Sequence, residues 1–488
     1  MSQPTRVESI EDYRSPASLI SSPRLRAADL LGKIVFVSLL CLIAFTAIPY
    51  GTAEAWWKAF FVCSVFTLCI LWLIEGLLSR AWFQGIGDSW RIVLPVLILA
   101  LFSFLQTVHL GRDATPETIA RAIAQPTWNA ISADPYQTRF FVLQLLGLAL
   151  AGVLLLRYAS SERRLRTVIN VVIAVAVASA VFGILRQTTQ HSPGFGLPLI
   201  APEQGYGQFV NRNHFAFLME MAFGLAFGLI LAGGVRREQA LIYFAALLPL
   251  WTALVLCGSR GGLIAMLAQL ITAVLLFGSV ARIESSKPTN SKALNFIRSR
   301  PARWGMLVTL ICGVLLGTLW MGGDQLATRI ASTSSEFETS RESREGVRRN
   351  EVWSTTWRMF AAHPILGVGM GAYWASVPEF HDASGSMTPQ EAHNDYLELL
   401  ASGGLVGVAI GVWFAIALFR ATRENLRSAH RFRRAACFGA SIAIAGVAVH
   451  SLVDFGLHMI ANALVFTTLV VIAASKPRGA DEPARSHA

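Results

Sequence analysis

The sequence predicts an all-α, polytopic membrane protein with about twelve transmembrane helices and a large external loop before the tenth. Apolar residues make up 54% of the 488-residue chain, charged residues only 15%, and the mean hydropathy is +0.51. Soluble domains carry about 25% charged residues, so a chain of this composition must bury apolar surface in lipid. The apolar residues also fall in runs of about 17–24, the length that crosses a hydrocarbon core of about 30 Å.

Twelve runs of this kind divide the chain into a membrane domain and two tails. We predict a cytoplasmic N-terminal tail (1–32), a multi-span domain (33–475) and a cytoplasmic C-terminal tail (476–488). The first tail lacks an apolar core with a cleavage site, so a cleaved signal peptide is not expected. The predicted spans are 33–50, 56–78, 92–108, 139–157, 166–185, 214–233, 240–256, 261–280, 304–321, 396–419, 435–450 and 457–475.

Lysine and arginine set the predicted orientation. With the N-terminus in the cytoplasm, about 28 of the 41 basic residues fall in cytoplasmic segments, as the positive-inside rule requires. Both termini are then cytoplasmic, and the rule also accounts for the net charge of +11. No basic stripe with interleaved aromatic residues is present, so a nucleic-acid partner is not predicted.

Three external segments are long enough to be functional, at 109–138, 186–213 and about 322–395. In the last, Trp353, Trp357 and Phe360 recur at the spacing of one helix face, and Pro364 stops the predicted helix. The glycine-rich stretch "GVGMG" at 367–371 is interpreted as a tight turn, since no strand–turn–helix unit surrounds it. The six cysteines show no ligand spacing, so neither a disulfide framework nor a zinc site is predicted.

The stretch "EAHNDYLELLASGGLVG" (391–407) joins the largest external loop to an apolar run. Asp395 and Glu398 have the spacing of a capping box, which predicts a helix beginning near Tyr396. His393 then precedes a helix N-terminus, whose dipole disfavours imidazolium and leaves a neutral ring that can act as a general base. A cap in which His393 and Asn394 merely fix the loop is an equally weighted alternative.

Three arginines, Arg186, Arg212 and Arg260, lie at the predicted outer ends of spans. The charge rule disfavours cations there, and arginine deep in a membrane costs about 2.5–3.5 kcal/mol. Guanidinium groups bind phosphate bidentately, so we expect a diphosphate site, with snorkelling or ion pairing as the alternative. His214, beside Arg212, and Asn394, beside His393, are further candidates for binding the substrate.

The segment "HSLVDFGLHMIANAL" (450–464) places His450, Asp454 and His458 at i, i+4 and i+8. If helical, it would carry all three on one face. A polar contact between helices is the favoured interpretation, and a metal site is not predicted.

Together with "GQFVNRNHFAFLMEMA", "CGSRGGLIAM" and "HPILGVGMGAY", these stretches resemble the O-antigen ligase and O-antigen polymerase superfamily over about residues 200–470. The resemblance implies an inverting, metal-independent glycosyltransferase of the bacterial inner membrane that needs no cofactor. It would transfer a glycan from undecaprenyl diphosphate to an acceptor hydroxyl at the periplasmic face, for lipopolysaccharide or exopolysaccharide assembly. His393 matches the family's essential loop histidine, Arg212 and Arg260 its diphosphate-binding arginines, and Arg186 matches less closely.

The acceptor stays open at this stage. It could be lipid A–core (a ligase), another lipid-linked glycan (a polymerase) or a protein hydroxyl (an oligosaccharyltransferase). A secondary transporter is the rival from another class, with Glu75 and Glu220 as its acidic coupling residues. A structural partner in a polysaccharide export complex is the third alternative.

Overall fold

The computed structural model describes residues 23–82, 87–108, 130–189, 205–284, 349–381 and 389–475, and helices are its regular elements there. Single 3₁₀ turns, Gly87–Ser89 and Gly456–His458, precede α3 and α13. The helices are α1 Pro23–Ala47, α2 Ala55–Ser79, α3 Trp90–Leu105, α4 Pro135–Tyr158, α5 Glu162–Thr189, α6 Arg212–Leu231, α7 Arg237–Leu256, α8 Arg260–Glu284, α9 Arg349–Ala362, α10 Tyr373–Phe380, α11 Asp395–Asn425, α12 Arg431–His450 and α13 Ile460–Ala474.

Ten helices of the described ranges, α1 to α8, α11 and α12, are long and apolar enough to cross a membrane. The fifteen-residue α13 is apolar but shorter. These findings confirm the predicted class of all-α polytopic membrane protein. Each predicted span has a helix at its place except 304–321, which lies outside the described residues. Two bounds differ most: α1 already begins at Pro23, and α11 continues to Asn425.

The centre of the bundle is the pair α6 and α12, whose most apolar windows are 83% and 72% buried, against 22% for α7. Glycine makes this contact close. A Cβ on Gly228 would lie 2.4 Å from the Cα of Gly439, and a Cβ on Gly224 would lie 2.9 Å from the backbone of Ala443. Small residues let helices approach in a membrane, where packing rather than the hydrophobic effect drives association.

A break in α11 lets a loop join its backbone. Gly404 has φ +60°, and the loop after α9 fills the gap, since the N–H groups of Val368 and Gly369 donate to the carbonyls of Ala401 and Ser402 at 3.0 Å. A Cβ on Gly404 would lie 2.4 Å from the Ile365 carbonyl oxygen. Gly367, Gly369 and Gly371 all have positive φ, which confirms the interpretation of this stretch as a tight turn.

The helix predicted in the large loop is present as α9, and it ends two residues before Pro364. The prediction that Trp353, Trp357 and Phe360 form the apolar face of this helix is wrong in part. Its buried residues are Val352, Thr355, Thr356 and Met359, whereas Trp357 is exposed. The indole Nε1 of Trp353 donates a hydrogen bond to the carbonyl of Ala392 at 3.1 Å.

The connection 451–459 between α12 and α13 decides whether 450–464 is one continuous helix. A helix through 450–464 would carry His450, Asp454 and His458 on one face, but α12 ends at His450 and a turn follows. Close packing accounts for the break. A Cβ on Gly456 would lie 2.2 Å from the ring of Phe217, so the backbone passes where a side chain would collide.

Candidate active site

His393 stands in a backbone conformation that L-residues rarely adopt, with φ +50°. A left-handed conformation costs a residue with a Cβ about 1–2 kcal/mol, so its neighbours must hold it. The N-cap of α11 is Asn394, whose Oδ1 accepts from the N–H groups of Tyr396 and Leu397 at 3.0 Å. The predicted capping box is therefore wrong in its cap: Asp395 is already the first helical residue, and Glu398 accepts instead from the Ala392 N–H at 2.9 Å.

The buried carboxylate of Asp454 is the centre to which the candidate residues converge. Its Oδ1 lies 3.7 Å from His393 Nδ1 and 3.9 Å from His214 Nε2. Its Oδ2 lies 3.6 Å from a guanidinium nitrogen of Arg349 and accepts a short hydrogen bond from the Asn213 side chain. The side chain of Asp454 is only 1% exposed, whereas that of His393 is 36% exposed. One partner is thus fixed inside the protein, and the other reaches the surface.

This arrangement determines the charge on Asp454. Burial alone would raise its pKa, but His393 and His214 outweigh that effect and lower the pKa to about 2. The carboxylate is therefore ionised at neutral pH. A carboxylate facing Nδ1 favours the tautomer that carries its proton there, which leaves the lone pair on Nε2. The 3.7 Å separation exceeds hydrogen-bond length, and such contacts often tighten only when substrate binds.

The aromatic ring of Phe455 lies at the centre of the same region. Its centroid is 4.8 Å from that of His393, 4.7 Å from that of His214 and 5.6 Å from that of His458, each edge-on. Edge-to-face rings are worth about 0.5–1.5 kcal/mol beyond their buried area. Phe455 therefore restrains three imidazoles at once and separates His458 from the other two.

The structure places the three predicted arginines at helix ends, at the end of the bundle that carries His393. Arg212 and Arg260 are the first residues of α6 and α8; Arg260 is exposed and adjoins Gly261, which packs on His450. Arg186 is buried near the end of α5 and donates to the Gly207 carbonyl at 2.5 Å. It thereby anchors the segment leading into Arg212. Binding of diphosphate by any of the three stays a prediction.

The two other predicted binding residues have partners inside the protein. His214 is 4% exposed, and its carbonyl accepts from Asn462 Nδ2 at 2.9 Å. The Asn394 amide, besides capping α11, donates to the Leu452 carbonyl at 2.8 Å. His214 therefore ties α6 to α13, and Asn394 ties α11 to the connection 451–459. Their contact with substrate stays a prediction.

A second cluster lies beyond Phe455, around His458. Its Nδ1 is 3.3 Å from Glu391 Oε2, and its Nε2 is 3.6 Å from Asp395 Oδ1 and 3.5 Å from Glu398 Oε1. Glu391, Glu398 and His458 are the one group in the described ranges whose ligand atoms lie close enough together, within 4.8 Å, to hold a metal ion. Both ring nitrogens of His458 already face carboxylates, however. The cluster can therefore be an imidazolium with its counter-ions, and this arrangement needs no metal ion.

The acidic residues that a transporter would need are paired within the bundle. Glu75 forms a buried ion pair with Arg157 at 2.5 Å and accepts from the Tyr158 hydroxyl at 3.1 Å. Glu220 contacts Nδ1 of His450 at 2.9 Å, and both side chains are almost fully buried. The second pair confirms the interpretation of His450 as a polar contact between helices.

A cavity of about 910 Å³ extends from the His458 cluster between α2, α3, α4, α11, α12 and α13. Glu391, Glu398 and His458 line its polar end, and Ser89 and Ala474 line it at the opposite end of the bundle. Most of the side chains between are apolar. The cavity therefore has the shape and polarity to accept hydrocarbon along the direction of the helices.

Sequence reasoning missed Arg349, Glu391 and the central position of Asp454. Arg349 carried a usable signal, since it is a cation in a segment predicted to be external, as Arg212 and Arg260 are. Asp454 was considered only as part of a continuous helix face. Its convergence on His393 depends on the turn after α12, a connection in which Gly456 packs against Phe217.

With this geometry established, the comparison with protein families gives one match. A family model described as O-antigen ligase matches residues 244–412. The match supports the resemblance of this stretch to the O-antigen ligase and polymerase superfamily. The matched O-antigen ligase region contains Arg260, the glycine turn 367–371 and His393, whereas Arg186, Arg212, His214 and Asp454 lie outside it. No curated protein matches the chain. The match supports a membrane glycosyltransferase of the ligase or polymerase type, with lipid-linked glycan and glycan acceptor as the general substrates.

Proposed function

We propose that this multi-pass membrane protein transfers a glycan from undecaprenyl diphosphate to an acceptor hydroxyl, with His393 as general base. The carrying observation is that His393 faces Asp454, a buried, ionised carboxylate, while part of its own ring stays exposed. A base needs a free lone pair, a fixed orientation and access to the substrate. His393 has all three features. We place the site on the periplasmic face of the inner membrane, as the predicted orientation requires.

The reaction is a single displacement at the anomeric carbon. Nε2 of His393 accepts the proton of the acceptor hydroxyl as its oxygen forms the new glycosidic bond. The bond between the anomeric carbon and the diphosphate breaks, and the lipid diphosphate leaves with the electron pair. One displacement inverts the anomeric configuration. The resulting imidazolium is stabilised by Asp454, at 3.7 Å from Nδ1.

The leaving diphosphate requires cations, since negative charge develops on it as the bond breaks. Arg260 and Arg212 begin two neighbouring helices at the His393 end of the bundle, and Arg349 lies within 3.6 Å of Asp454. We assign these three to the donor diphosphate. The donor is already activated, so the proposed step uses neither ATP nor a metal. Arg186 stays the weaker candidate, because its guanidinium already donates to Gly207.

The identity of the acceptor distinguishes a ligase from a polymerase and from a protein oligosaccharyltransferase. Lipid A–core, a lipid-linked glycan and a protein hydroxyl would all be deprotonated by the same base. The apolar cavity beside the site suits a substrate that carries a lipid chain. We favour a ligase or a polymerase, in which the acceptor as well as the donor carries a lipid chain, over a protein oligosaccharyltransferase.

The test measures glycan transfer in membranes that contain the full-length protein, with lipid-linked glycan as donor and with product analysis. We expect His393→Ala to lower the transfer rate at least about 100-fold, the usual contribution of a general base. Arg260→Ala should lower it about 10- to 1,000-fold, because one donor to the developing charge is lost. The product identifies the acceptor.

The matched controls are His430→Ala and Arg427→Ala, which remove the same side-chain types from exposed positions beside the start of α12, at the opposite end of the bundle. Both controls should transfer at the wild-type rate at equal abundance. Full activity in His393→Ala would refute the proposed base. A lipid-linked product supports the ligase or polymerase assignment, and a glycoprotein product overturns it.

A further inference from the structure

The segment that carries His393 is held from both sides by one residue of the connection 451–459. Glu391 precedes His393 by two residues, Asp395 follows it by two, and both carboxylates lie against the ring of His458. Glu398, one turn further along α11, faces the same ring. The contacts to Nδ1 and Nε2 thus bracket the catalytic segment on either side of its strained residue.

Backbone contacts hold the same segment to the same connection. The Asp395 N–H donates to the Ser451 carbonyl at 3.0 Å, and Asn394 Nδ2 donates to that of Leu452 at 2.8 Å. These bonds fix the C-terminal side of His393. On its N-terminal side, Ala392 binds Glu398, whose other oxygen faces His458. Removing the positive charge of His458 would leave Glu391, Asp395 and Glu398 close together without a counter-ion between them.

We propose that His458 is a positioning residue, whose imidazolium holds the segment 391–395 so that His393 keeps its left-handed backbone and faces Asp454. This inference rests on the proposed function, because the positioned group is the proposed base. The charge on His458 therefore acts on the chemistry through His393 and without contact with the reacting atoms.

The charges around His458 support its cationic form. Burial alone would lower its pKa, but Glu391 and Glu398 raise the pKa to about 10. His458 in turn lowers the pKa of Glu391. Asp395 of α11 faces the ring as well, Lys58 of α2 acts on Glu391, and His214 of α6 interacts electrostatically with His458. His458 is thus charged at neutral pH. The proposed base, His393, must be neutral at the same pH in order to accept a proton.

The test compares wild type, His458→Gln and His458→Lys in purified full-length protein, with lipid-linked glycan as donor. Glutamine keeps size and polarity but removes the charge, whereas lysine keeps the charge. We expect His458→Gln to lower kcat about 10- to 100-fold with donor KM within about twofold, because misplacing a catalytic group by about 1 Å can cost 100-fold. His458→Lys should recover at least half of the lost kcat on a logarithmic scale. His430→Gln, an exposed histidine at the opposite end of the bundle, should match wild type.

A second measurement is independent of activity. Because the folded pKa of His458 lies above its usual 6.5, its contribution to stability is complete below about pH 6.5 and is lost as pH rises through about 10. The Tm of wild type should therefore fall relative to that of His458→Gln as the pH rises from about 6.5 to about 10. If His393→Ala retains transfer, the proposed function fails, while this unfolding difference still reports the ion cluster.

Three results would overturn the positioning role. They are a wild-type kcat in His458→Gln, an equal loss in the glutamine and lysine variants, and a stoichiometric metal ion whose removal by chelator reproduces the His458→Gln loss. The last outcome would make the cluster a metal site instead.

Discussion

Two clusters with opposite arrangements of charge flank the ring of Phe455. In one, a single buried carboxylate, Asp454, is surrounded by basic groups: His393, His214 and Arg349. In the other, a single imidazole, His458, is surrounded by three carboxylates. The first arrangement leaves His393 partly exposed at the surface beside one carboxylate. The second surrounds His458 with carboxylates that favour its protonated form. The two histidines thus stand in opposite charge environments.

The strongest test of this contrast is Asp454→Asn, which removes the central charge of the first cluster with little change of shape. We expect the transfer rate to fall about 1,000-fold, because His393 loses the group that sets its tautomer and stabilises its protonated form. Transfer in membranes at equal protein abundance measures this effect. A loss below tenfold would mean that Asp454 does not act on the base. Asn213→Ala serves as the control for the loss of packing around the carboxylate.

Arg349→Ala should have the next largest effect, a rise in donor KM of about tenfold. Arg349 is half exposed, so its contact with an anion is worth about 1.5 kcal/mol, the lower end for charged hydrogen bonds. The KM for the acceptor should not change. Steady-state kinetics with varied donor separates the two constants. An unchanged donor KM, compared with Arg427→Ala, would remove Arg349 from the diphosphate site.

Phe455→Leu tests whether the two clusters need the aromatic divider. Leucine keeps apolar volume but loses edge-on contact with the three imidazoles, each about 0.5–1.5 kcal/mol. We expect kcat to fall about threefold. The acid and alkaline limbs of the plot of kcat against pH should not shift. A shift in either limb would show that Phe455 also controls proton affinity, and a normal kcat would limit the ring to packing.

The smallest effect is expected for Glu391→Gln, and it appears at alkaline pH. Glu391 is the charge that most raises the pKa of His458, so its removal lowers that pKa from about 10. Since the contribution of a raised pKa is lost as pH rises through the folded value, activity should decline at a lower pH than in wild type, by about one unit. Near pH 7 the rates should agree within a few-fold. Identical pH profiles would contradict the ion cluster.

Long apolar runs and helix ends were predictable, because they depend on local sequence. Helices occur at the predicted spans within the described ranges, and His393, Arg212 and Arg260 lie at helix starts as expected. The cap of α11 was misplaced by one residue, because asparagine and aspartate both cap helices well and only the tertiary bond to Leu452 distinguishes them here. The Trp357 face was wrong because α9 packs through its small threonines.

The centre of the site was beyond sequence reasoning for a different reason. Asp454 meets His393 only because the chain turns after His450, in a connection whose Gly456 packs closely against Phe217. Periodicity cannot report a contact between residues that are 61 positions apart in the sequence. The charged state of His458 likewise depends on three carboxylates that only the fold assembles.

The break at Gly404 connects the loop after α9 to the helix that follows His393. The loop after α9 supplies the hydrogen bonds that α11 lacks there, and Trp353 of α9 binds the carbonyl of Ala392 beside His393. The loop after α9 and α9 itself are therefore attached to the α11 region at two places, the break at Gly404 and the backbone of Ala392. A displacement of α9 would act directly on the backbone beside His393.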